Sequence, residues 1–389
     1  MRVVVSCVPQ TGHIMPLLPL ARAFADRGDE VVIASGSDAE TFVGTELPFR
    51  AVGPALSSWL AVLSERTRGI PGDGLAPSRV LNYFIPRLFG EIGTALIVDD
   101  LLTLCRELEP ALVVFDPYLF AAPLVAAVTG VPAVLHSIGP LMDRSILELV
   151  ADAVSPIWRE FGMDVPPLAG VGSATTLTIC PASLDPGAAG VHGAQPLRPV
   201  PLPLSASTAL AVSFARPEYP LVYLTLGTFS NNDLVLFRLV LDALEDEPVN
   251  VLATIGRDND PSVLTPLPDN ARVEQYLPQG ELLPYCSAVV HHAGAGTMFG
   301  VLAHGLPSLV LPQSADNFMN AGLLERAGAA LVLVPGDVSG ASVRSGLRAV
   351  LDTTSYRRSA RKLADEICSM PSPAEVAARL ASNAVVEGP

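Results

Sequence analysis

Short, uniformly apolar runs recur along the chain and predict strands that are buried on both faces. They cover residues 3–8, 31–35, 112–115 and 133–137 in the first half, and 221–227, 250–256, 272–277, 288–294 and 307–312 in the second. Several are separated by helical patterns, such as the one from Met15 to Gly28, which ends at a glycine suited to a helix C-terminus. Buried strands that alternate with helices are typical of parallel sheets. The pattern therefore predicts an α/β protein with two parallel sheets.

A proline-rich stretch of irregular pattern, residues 181–220, separates the two halves. The chain has 389 residues, more than one hydrophobic core usually supports. We therefore predict an N-terminal domain over 1–205, a linker over 206–218 and a C-terminal domain over 219–370. Residues 371–389 predict one further amphipathic helix, which we expect to pack back toward the N-terminal domain.

The composition argues against a nucleic-acid-binding protein and against a membrane-spanning one. Half of the residues are hydrophobic, 16% are charged and the net charge is -15, so no broad positive surface is available for nucleic acid. The longest apolar stretch, 119–135, is divided by Pro123, Gly130 and Pro132, which favours a helix, a turn and a strand over a membrane span. We expect no secretory signal at the start of the chain, and the spacing of its five cysteines suggests neither a disulfide framework nor a zinc site. We expect a cytoplasmic protein without stable membrane insertion.

A turn of small residues follows the strand that ends in "AVVHH", where "AGAGT" leads into a helical pattern at residues 293–297. Small side chains let a phosphate approach the backbone amides of a helix N-terminus, where the helix dipole also favours negative charge. Glycine-rich turns are common, and close packing of strand and helix explains them equally well when they stand alone. At this point the two interpretations remain open.

Three segments of the second half carry a resemblance to a known family. "GTFSN" (227–231), "VEQYLPQGELLPYCSAVVHHAGAGT" (273–297) and "VLPQSADNFMNAGLLERAGAAL" (310–331) resemble the C-terminal domain of nucleotide-sugar-dependent glycosyltransferases of family GT1, in particular the bacterial natural-product and antibiotic branch. "TGHIMPLLPLARAFADRGDEV" (11–31) resembles the N-terminal signature of the same family. The resemblance implies the GT-B fold, with two Rossmann-like domains that face each other across a cleft. It also implies that the first domain binds the acceptor and the second the nucleotide sugar.

His13, in the GHxxP motif, is the general base that the resemblance implies. Imidazole suits this role because its ordinary pKa lies near neutrality. The resemblance also assigns Asp116 as its partner, which would fix the imidazole tautomer and stabilise the protonated ring. The structural alternatives are that His13 caps the helix after the first strand and that Asp116 caps the helix after Pro117.

His292 is the residue that the resemblance assigns to the diphosphate of the donor, whereas we expect its neighbour His291 to face the core. The same assignment extends to the turn and helix start that follow, namely Gly294, Ala295, Gly296 and Thr297. Thr228, in the loop after the first strand of the second domain, would contact the phosphate from the opposite side, and Gly12 is assigned to the donor as well. Such donors stabilise charge that grows on the departing diphosphate.

Five further residues are assigned to the nucleoside and the sugar by the same resemblance. Tyr276 would stack on the base, Leu277 would offer backbone groups to it, and Gln279 would contact the ribose. Asp316 matches the acidic residue that binds donor sugar hydroxyls. Its neighbour is Asn317, where glucose-using relatives usually carry glutamine, so we favour a deoxysugar over glucose. A TDP-sugar is favoured over a UDP-sugar as co-substrate, and no cofactor is expected.

Aromatic side chains in the first domain suit a large, mostly apolar aglycone as acceptor. Tyr83, Phe84 and Trp158 are the candidates, although most aromatics at helical spacing belong to a core. The "RDND" sequence at 257–260 resembles a metal-binding triplet, yet its surroundings of Asp, Asn and Pro favour a solvated loop. We expect no metal site. Association into a homodimer is compatible with the sequence, which leaves the oligomeric state open.

The expected activity is therefore an inverting, metal-independent transfer of a sugar to a small molecule. The nucleophile is a hydroxyl, or a nitrogen or carbon atom, of the aglycone. Two other classes compete with this hypothesis: a catalytically silent relative that binds sugar nucleotide or activates a partner, and a nucleotide-dependent oxidoreductase. The second requires GxGxxG after the first strand, which "SCVPQTGHIMP" lacks. A sugar-nucleotide epimerase of similar architecture is a further alternative.

Overall fold

The structure is a computed structural model that describes the chain except for residues 45, 68–76, 186–192, 201–213, 215, 228–232, 315 and 387–389, and except for the side chains of 77–80 and 384–386. The chain forms two compact units. The first comprises Met1–Cys180, Gly187–Val200 and Met370–Pro389, and the second comprises Pro181–Pro186 and Pro201–Ser369. Most of the linker expected at 206–218 falls outside the described residues.

The first unit is built on a parallel sheet with seven strands among the described residues, in the order β3-β2-β1-β4-β5-β6-β7. The strands are β1 (Arg2–Ser6), β2 (Glu30–Ser35), β3 (Phe49–Ala51), β4 (Leu112–Phe115), β5 (Ala133–His136), β6 (Thr175–Thr178) and β7 (Gln195–Pro196). In the centre, Val4 of β1 pairs with Val32 and Val113 on its two sides. Val4 has no exposed surface, as expected for a strand covered on both faces.

Helices connect these strands. They are α1 (Thr11–Asp26), α2 (Glu40–Val43), α3 (Leu56–Arg66), α4 (Pro77–Phe84), α5 (Thr94–Leu108), α6 (Ala121–Thr129) and α7 (Arg144–Glu160). A nine-residue π-helix, Ile85–Gly93, joins α4 to α5. Gly28 follows α1 in the left-handed conformation, with φ 86°, which confirms its predicted place at the end of that helix. The apolar stretch 119–135 forms α6, a left-handed turn at Gly130 and β5, which confirms its predicted division.

The second unit repeats the same alternation of strands and helices. Its parallel sheet has the order β10-β9-β8-β11-β12-β13 in the described part of the chain. The strands are β8 (Leu221–Thr225), β9 (Asn250–Thr254), β10 (Ala271–Glu274), β11 (Ala288–His291), β12 (Ser308–Val310) and β13 (Ala330–Val332). The helices are α8 (Leu234–Ala243), α9 (Gln279–Leu282), α10 (Ala295–Ala303), α11 (Asn317–Arg326), α12 (Gly340–Asp352) and α13 (Thr354–Ser369). Alternate residues of β8 pack into cores on opposite faces of the sheet, which is the predicted architecture.

The last helix, α14 (Pro373–Val386), belongs to the first unit and packs against α1. The entry to α14 is held by Arg198, whose backbone N–H donates to the Pro371 carbonyl and whose Nε donates to the Met370 carbonyl at 3.0 Å. Val376 and Ala377 are fully buried. The end of the chain therefore supports α1. Within the described residues, no helix combines the length and the apolar character that crossing a membrane requires.

Candidate functional site

His13 lies in the first turn of α1, directly beyond the carboxyl end of the central strand β1. The helix N-cap is Gln10, and the backbone N–H of His13 donates to the Gln10 carbonyl at 2.9 Å. His13 is therefore inside the helix and does not cap it, so the capping alternative is wrong. Its side chain is buried, with 8% of the residue exposed.

Asp116 follows β4, the strand that pairs with β1, and its side chain has no exposed surface. Oδ2 accepts a hydrogen bond from the backbone N–H of Val8 at 2.6 Å, and Oδ1 accepts one from the N–H of Tyr118 at 2.6 Å. The next helix, α6, begins only at Ala121 with Phe120 as its N-cap. Asp116 thus stabilises the turn after β4 and links this turn to the backbone after β1. The alternative that Asp116 caps the following helix is wrong.

The structure brings the predicted base and its predicted partner together. Nδ1 of His13 lies 3.3 Å from Oδ2 of Asp116, within ion-pair distance but without the alignment of a hydrogen bond. With Nδ1 turned toward the carboxylate, Nε2 is the nitrogen directed away from it. The imidazole also contacts two aromatic rings, Tyr118 at 5.1 Å and Phe89 at 6.1 Å between centroids. An imidazole held between a buried carboxylate and aromatic rings can accept a proton on Nε2.

In the second unit, the turn between β11 and α10 forms a second candidate site. Ala293 adopts the left-handed conformation with φ 68°, and its N–H donates to Nδ1 of His291 at 3.0 Å. Gly294 is the N-cap of α10, and no described side chain caps this helix. The first amides of α10 are therefore available to an anion, which the helix dipole also attracts. His291 has no exposed surface, which confirms that it faces the core.

His292 lies between two glycines. A Cβ atom on Gly227 would sit 2.5 Å from the imidazole ring, and a Cβ atom on Gly294 would collide with Nε2. Burial lowers the pKa of His292 to about 4, so the ring is neutral at pH 7. The neighbouring His291 is neutral too, because burial and the closeness of His292 lower its pKa to about 3. Any anion here would meet neutral dipoles and no imidazolium charge.

Asn320, on α11, is a residue of this site that the sequence reasoning missed. It has no exposed surface, and its Nδ2 donates to the Ala293 carbonyl at 2.9 Å and to Oδ2 of Asp316 at 3.0 Å. It therefore ties the strained turn to the predicted sugar-binding carboxylate. The available signal was its spacing, one helical turn after Asp316 within the recognised "DNFMN" segment. The amide of Asn317, in contrast, contacts its own loop: it accepts from the Ser314 N–H at 3.3 Å and is only 5% exposed.

The predicted nucleoside contacts are arranged around β10 and α9. Tyr276 is 39% exposed, and the guanidinium of Arg257 lies 3.7 Å from its ring centroid. Nε2 of Gln279 donates to the hydroxyl of Thr297 at 3.2 Å, which joins α9 to the first turn of α10. Leu277 is half-buried against a core cluster of the second unit.

Other predicted residues are placed differently. Trp158 is 1% exposed in the core of the first unit, so its assignment to an open acceptor surface needs correction: its aromatic ring serves packing. Tyr83 and Phe84 pack against each other at 5.6 Å, and Gly12 is exposed in the first turn of α1. Ala295 and Gly296 occupy the start of α10. Thr228 lies outside the described residues.

The "RDND" segment forms a turn after β9. Asp260 accepts hydrogen bonds from the N–H of Ser262 at 2.9 Å and from its hydroxyl at 2.7 Å, and these bonds lower the pKa of the carboxyl. The carboxylate thus caps a short 3-10 turn. Across the residues that the structure describes, no group of three or more His, Cys, Asp or Glu side chains is positioned to hold a metal ion.

Comparison with known proteins decides the family. Residues 83–213 match the N-terminal domain, and residues 238–382 the C-terminal domain, of the family described as erythromycin biosynthesis protein CIII-like. L-demethylnoviosyl transferase of Streptomyces niveus is 31% identical over 98% of both chains. The chain belongs to the erythromycin biosynthesis protein CIII-like family. It is a GT1 natural-product glycosyltransferase, as the motifs predicted.

Solved structures agree with this assignment to the CIII-like family. The glycosyltransferase SnogD of Streptomyces nogalater has a TM-score of 0.77 and 28% identity, and the match covers 99% of both chains. SsfS6 of Streptomyces sp. SF2575, solved with thymidine diphosphate, has a TM-score of 0.78 and 27% identity over 98% of this chain and 99% of its own. The predicted GT-B fold is confirmed.

The lack of room for a Cβ atom between Gly294 and the ring of His292 leads to a first prediction. Gly294 has φ -60°, which alanine tolerates, so the main cost of a Gly294→Ala change is the clash with the ring that it would strike, to which the poorer N-cap quality of alanine adds a smaller cost. We expect a loss of about 1–3 kcal/mol in the free energy of unfolding. In a His292→Ala background this loss should shrink to the N-cap cost, which gives a coupling of about 1 kcal/mol or more in a double-mutant cycle.

Gly296→Ala is the matched control, because a Cβ atom there meets nothing within 4 Å and the residue lies in the same helix. It should be neutral or stabilising by up to about 1 kcal/mol. Equal losses at Gly294 with and without the imidazole would show that the ring does not set the requirement for glycine.

Burial of His292 yields a second prediction, on pH. The folded protein keeps this ring neutral down to about pH 4, whereas in the unfolded chain histidine has its ordinary pKa of 6.5. Acid therefore favours unfolding between pH 6.5 and 4, by about 1.4 kcal/mol per pH unit for one such group. Chemical denaturation of wild type and His292→Gln at pH 7.5 and pH 5 should show a smaller acid-induced loss in the variant. Identical losses would contradict the buried, neutral state.

Proposed function

We propose that this glycosyltransferase transfers a deoxysugar from a TDP-sugar, in preference to a UDP-sugar, to a hydrophobic natural-product aglycone. The nucleophile is a hydroxyl, or else a nitrogen or carbon atom, of the acceptor. We assign acceptor binding to the first unit and donor binding to the second. The reaction inverts the anomeric centre and proceeds without a metal ion.

The observation that carries the proposal is the distance of 3.3 Å between Nδ1 of His13 and Oδ2 of Asp116. The carboxylate favours the tautomer with a proton on Nδ1, which leaves the lone pair on Nε2 to take the acceptor proton. It also stabilises the positive charge that appears on the ring after proton transfer. Since Asp116 is already bonded to two backbone amides, its own position is fixed before the substrate arrives.

In the proposed step, the acceptor oxygen forms a bond to the anomeric carbon while its proton moves to Nε2 of His13. The bond from that carbon to the diphosphate oxygen breaks, and its electron pair leaves with TDP. A single displacement of this kind inverts the configuration. The amides at the start of α10 would stabilise the charge on the departing diphosphate, and the neutral ring of His292 would add a hydrogen bond.

The choice of donor rests on two points. SsfS6, which is 27% identical, was solved with thymidine diphosphate, and this supports a thymidine nucleotide for the present chain. In the predicted sugar-binding segment, the amide of Asn317 makes its polar contacts within its own loop: it accepts from the Ser314 N–H and donates to Oδ1 of Asp316. Fewer polar contacts suit a sugar with fewer hydroxyl groups.

Replacing His13 by alanine tests the proposal. We expect kcat to fall by about 10²–10⁴-fold, the usual contribution of a general base, while the affinity for TDP changes by less than about twofold. Turnover is followed by mass spectrometry of the glycosylated product, and TDP binding by calorimetry. His292→Ala should show the complementary result, with weaker TDP binding.

His304→Ala is the matched control, because this ring is hydrogen-bonded to the Gly300 carbonyl in the preceding turn and has no assigned role. Both its turnover and its TDP affinity should equal those of wild type. Full turnover in His13→Ala would remove His13 from the mechanism. A wild-type protein that binds TDP but never turns over would support the silent relative.

A further inference from the structure

Phe89 lies at the centre of an aromatic cluster around His13. Its ring is 6.1 Å from that of His13, 5.1 Å from Tyr118 and 6.4 Å from Trp59, measured between centroids. Tyr118 in turn meets His13 edge-on, at 5.1 Å and 73°. His13, Phe89 and Tyr118 are thus in mutual contact, while the fully buried Trp59 supports Phe89 from the side of α3.

The contact between His13 and Asp116 alone does not fix the imidazole. At 3.3 Å and without hydrogen-bond alignment, it holds the ring less firmly than a hydrogen bond would. Packing against neighbouring rings must therefore decide which nitrogen faces the carboxylate. Phe89 and Tyr118 are the rings in contact with the imidazole among the described residues.

Phe89 reaches this position from the π-helix Ile85–Gly93. Such helices, with hydrogen bonds from i to i+5, are rare and usually a single turn, and they frequently occur at functional sites. Each hydrogen-bonded loop spans one more residue than in an α-helix, so the direction of a side chain depends on keeping the wider winding. An α-helix over the same residues would rotate Phe89 away from the imidazole.

Two glycines hold the π-helix in place. A Cβ atom on Gly93 would sit 2.5 Å from the indole ring of Trp59, and one on Gly90 would sit 3.3 Å from Cγ1 of Val150 on α7. Close approach to α3 and α7 thus fixes the π-helix from two sides. The side chain of Phe89, on this same π-helix, lies against the ring of His13.

We propose that Phe89 is a positioning residue, which the π-helix presses against the imidazole of His13 so that Nδ1 faces Asp116 and Nε2 faces the acceptor. This inference rests on the proposed function, because it assigns His13 as the base. Phe89 itself makes no contact with the reacting atoms. Its effect should therefore appear in the tautomer of His13 and in kcat, and leave donor binding unchanged.

The test combines ring ¹⁵N NMR of the histidines with kinetics on Phe89→Leu and Phe89→Tyr. In wild type and in Phe89→Tyr, which keeps the aromatic ring, we expect one His13 tautomer with the proton on Nδ1. In Phe89→Leu we expect a mixture of tautomers and a kcat that is about tenfold lower, since small misplacements of a catalytic group lower rates. TDP affinity should stay within about twofold of wild type.

Phe161→Leu is the matched control, because Phe161 is half-buried in the same core and makes no ring contact with His13 among the described residues. The signal of His136, buried in β5, reports whether the first unit stays folded. If leucine disrupts that signal, Phe89→Met replaces it and the same outcomes apply. An unchanged His13 tautomer in the folded variant, or an equal change in Phe161→Leu, would overturn the proposal. The NMR result does not depend on turnover, so it is separable from a failure of the proposed transfer.

Discussion

The carboxylate of Asp116 is the constraint on which the arrangement of the first unit depends. It has no exposed surface, and it joins the backbone after β1, the turn after β4 and the imidazole on α1. A buried carboxylate is costly unless hydrogen bonds satisfy it, so these partners must stay in place for the unit to be stable. Because β1 and β4 pair in parallel at the centre of the sheet, the three segments meet at the carboxyl ends of these two strands.

The second unit, built on a similar parallel sheet, offers an anion backbone amides in place of charged side chains. The whole chain carries a net charge of -15, and His291 and His292, at the end of β11, are kept neutral by burial. A diphosphate here would be held by amide dipoles at the uncapped start of α10. The glycines on either side of His292 and the buried Asn320 shape that turn. The second unit thus offers preorganised dipoles, and the first unit offers a carboxylate and an imidazole.

Much of this could be predicted from the sequence, and what could not has a physical reason. Short, uniformly apolar runs predicted the central strands of both sheets, and recognised motifs predicted the pairing of His13 with Asp116. The edge strand β3 was missed because two of its three residues are exposed, so it has no apolar run. Trp158 was misassigned because aromatic residues at helical spacing look alike in sequence whether they line a cleft or fill a core. Asn320 escaped notice as a site residue because its contacts with Ala293 and Asp316 depend on the direction of its side chain, which the start of α11 determines.

Chemical rescue of the His13→Ala variant tests the central claim most directly. If the ring of His13 serves only to accept a proton beside Asp116, free imidazole added to the variant should restore part of its turnover, with a rate that rises and saturates with imidazole concentration. The same addition should leave His292→Ala unchanged, because that ring is proposed to bind the donor. Wild-type turnover by His13→Ala without imidazole, or an equal response of both variants, would contradict the account.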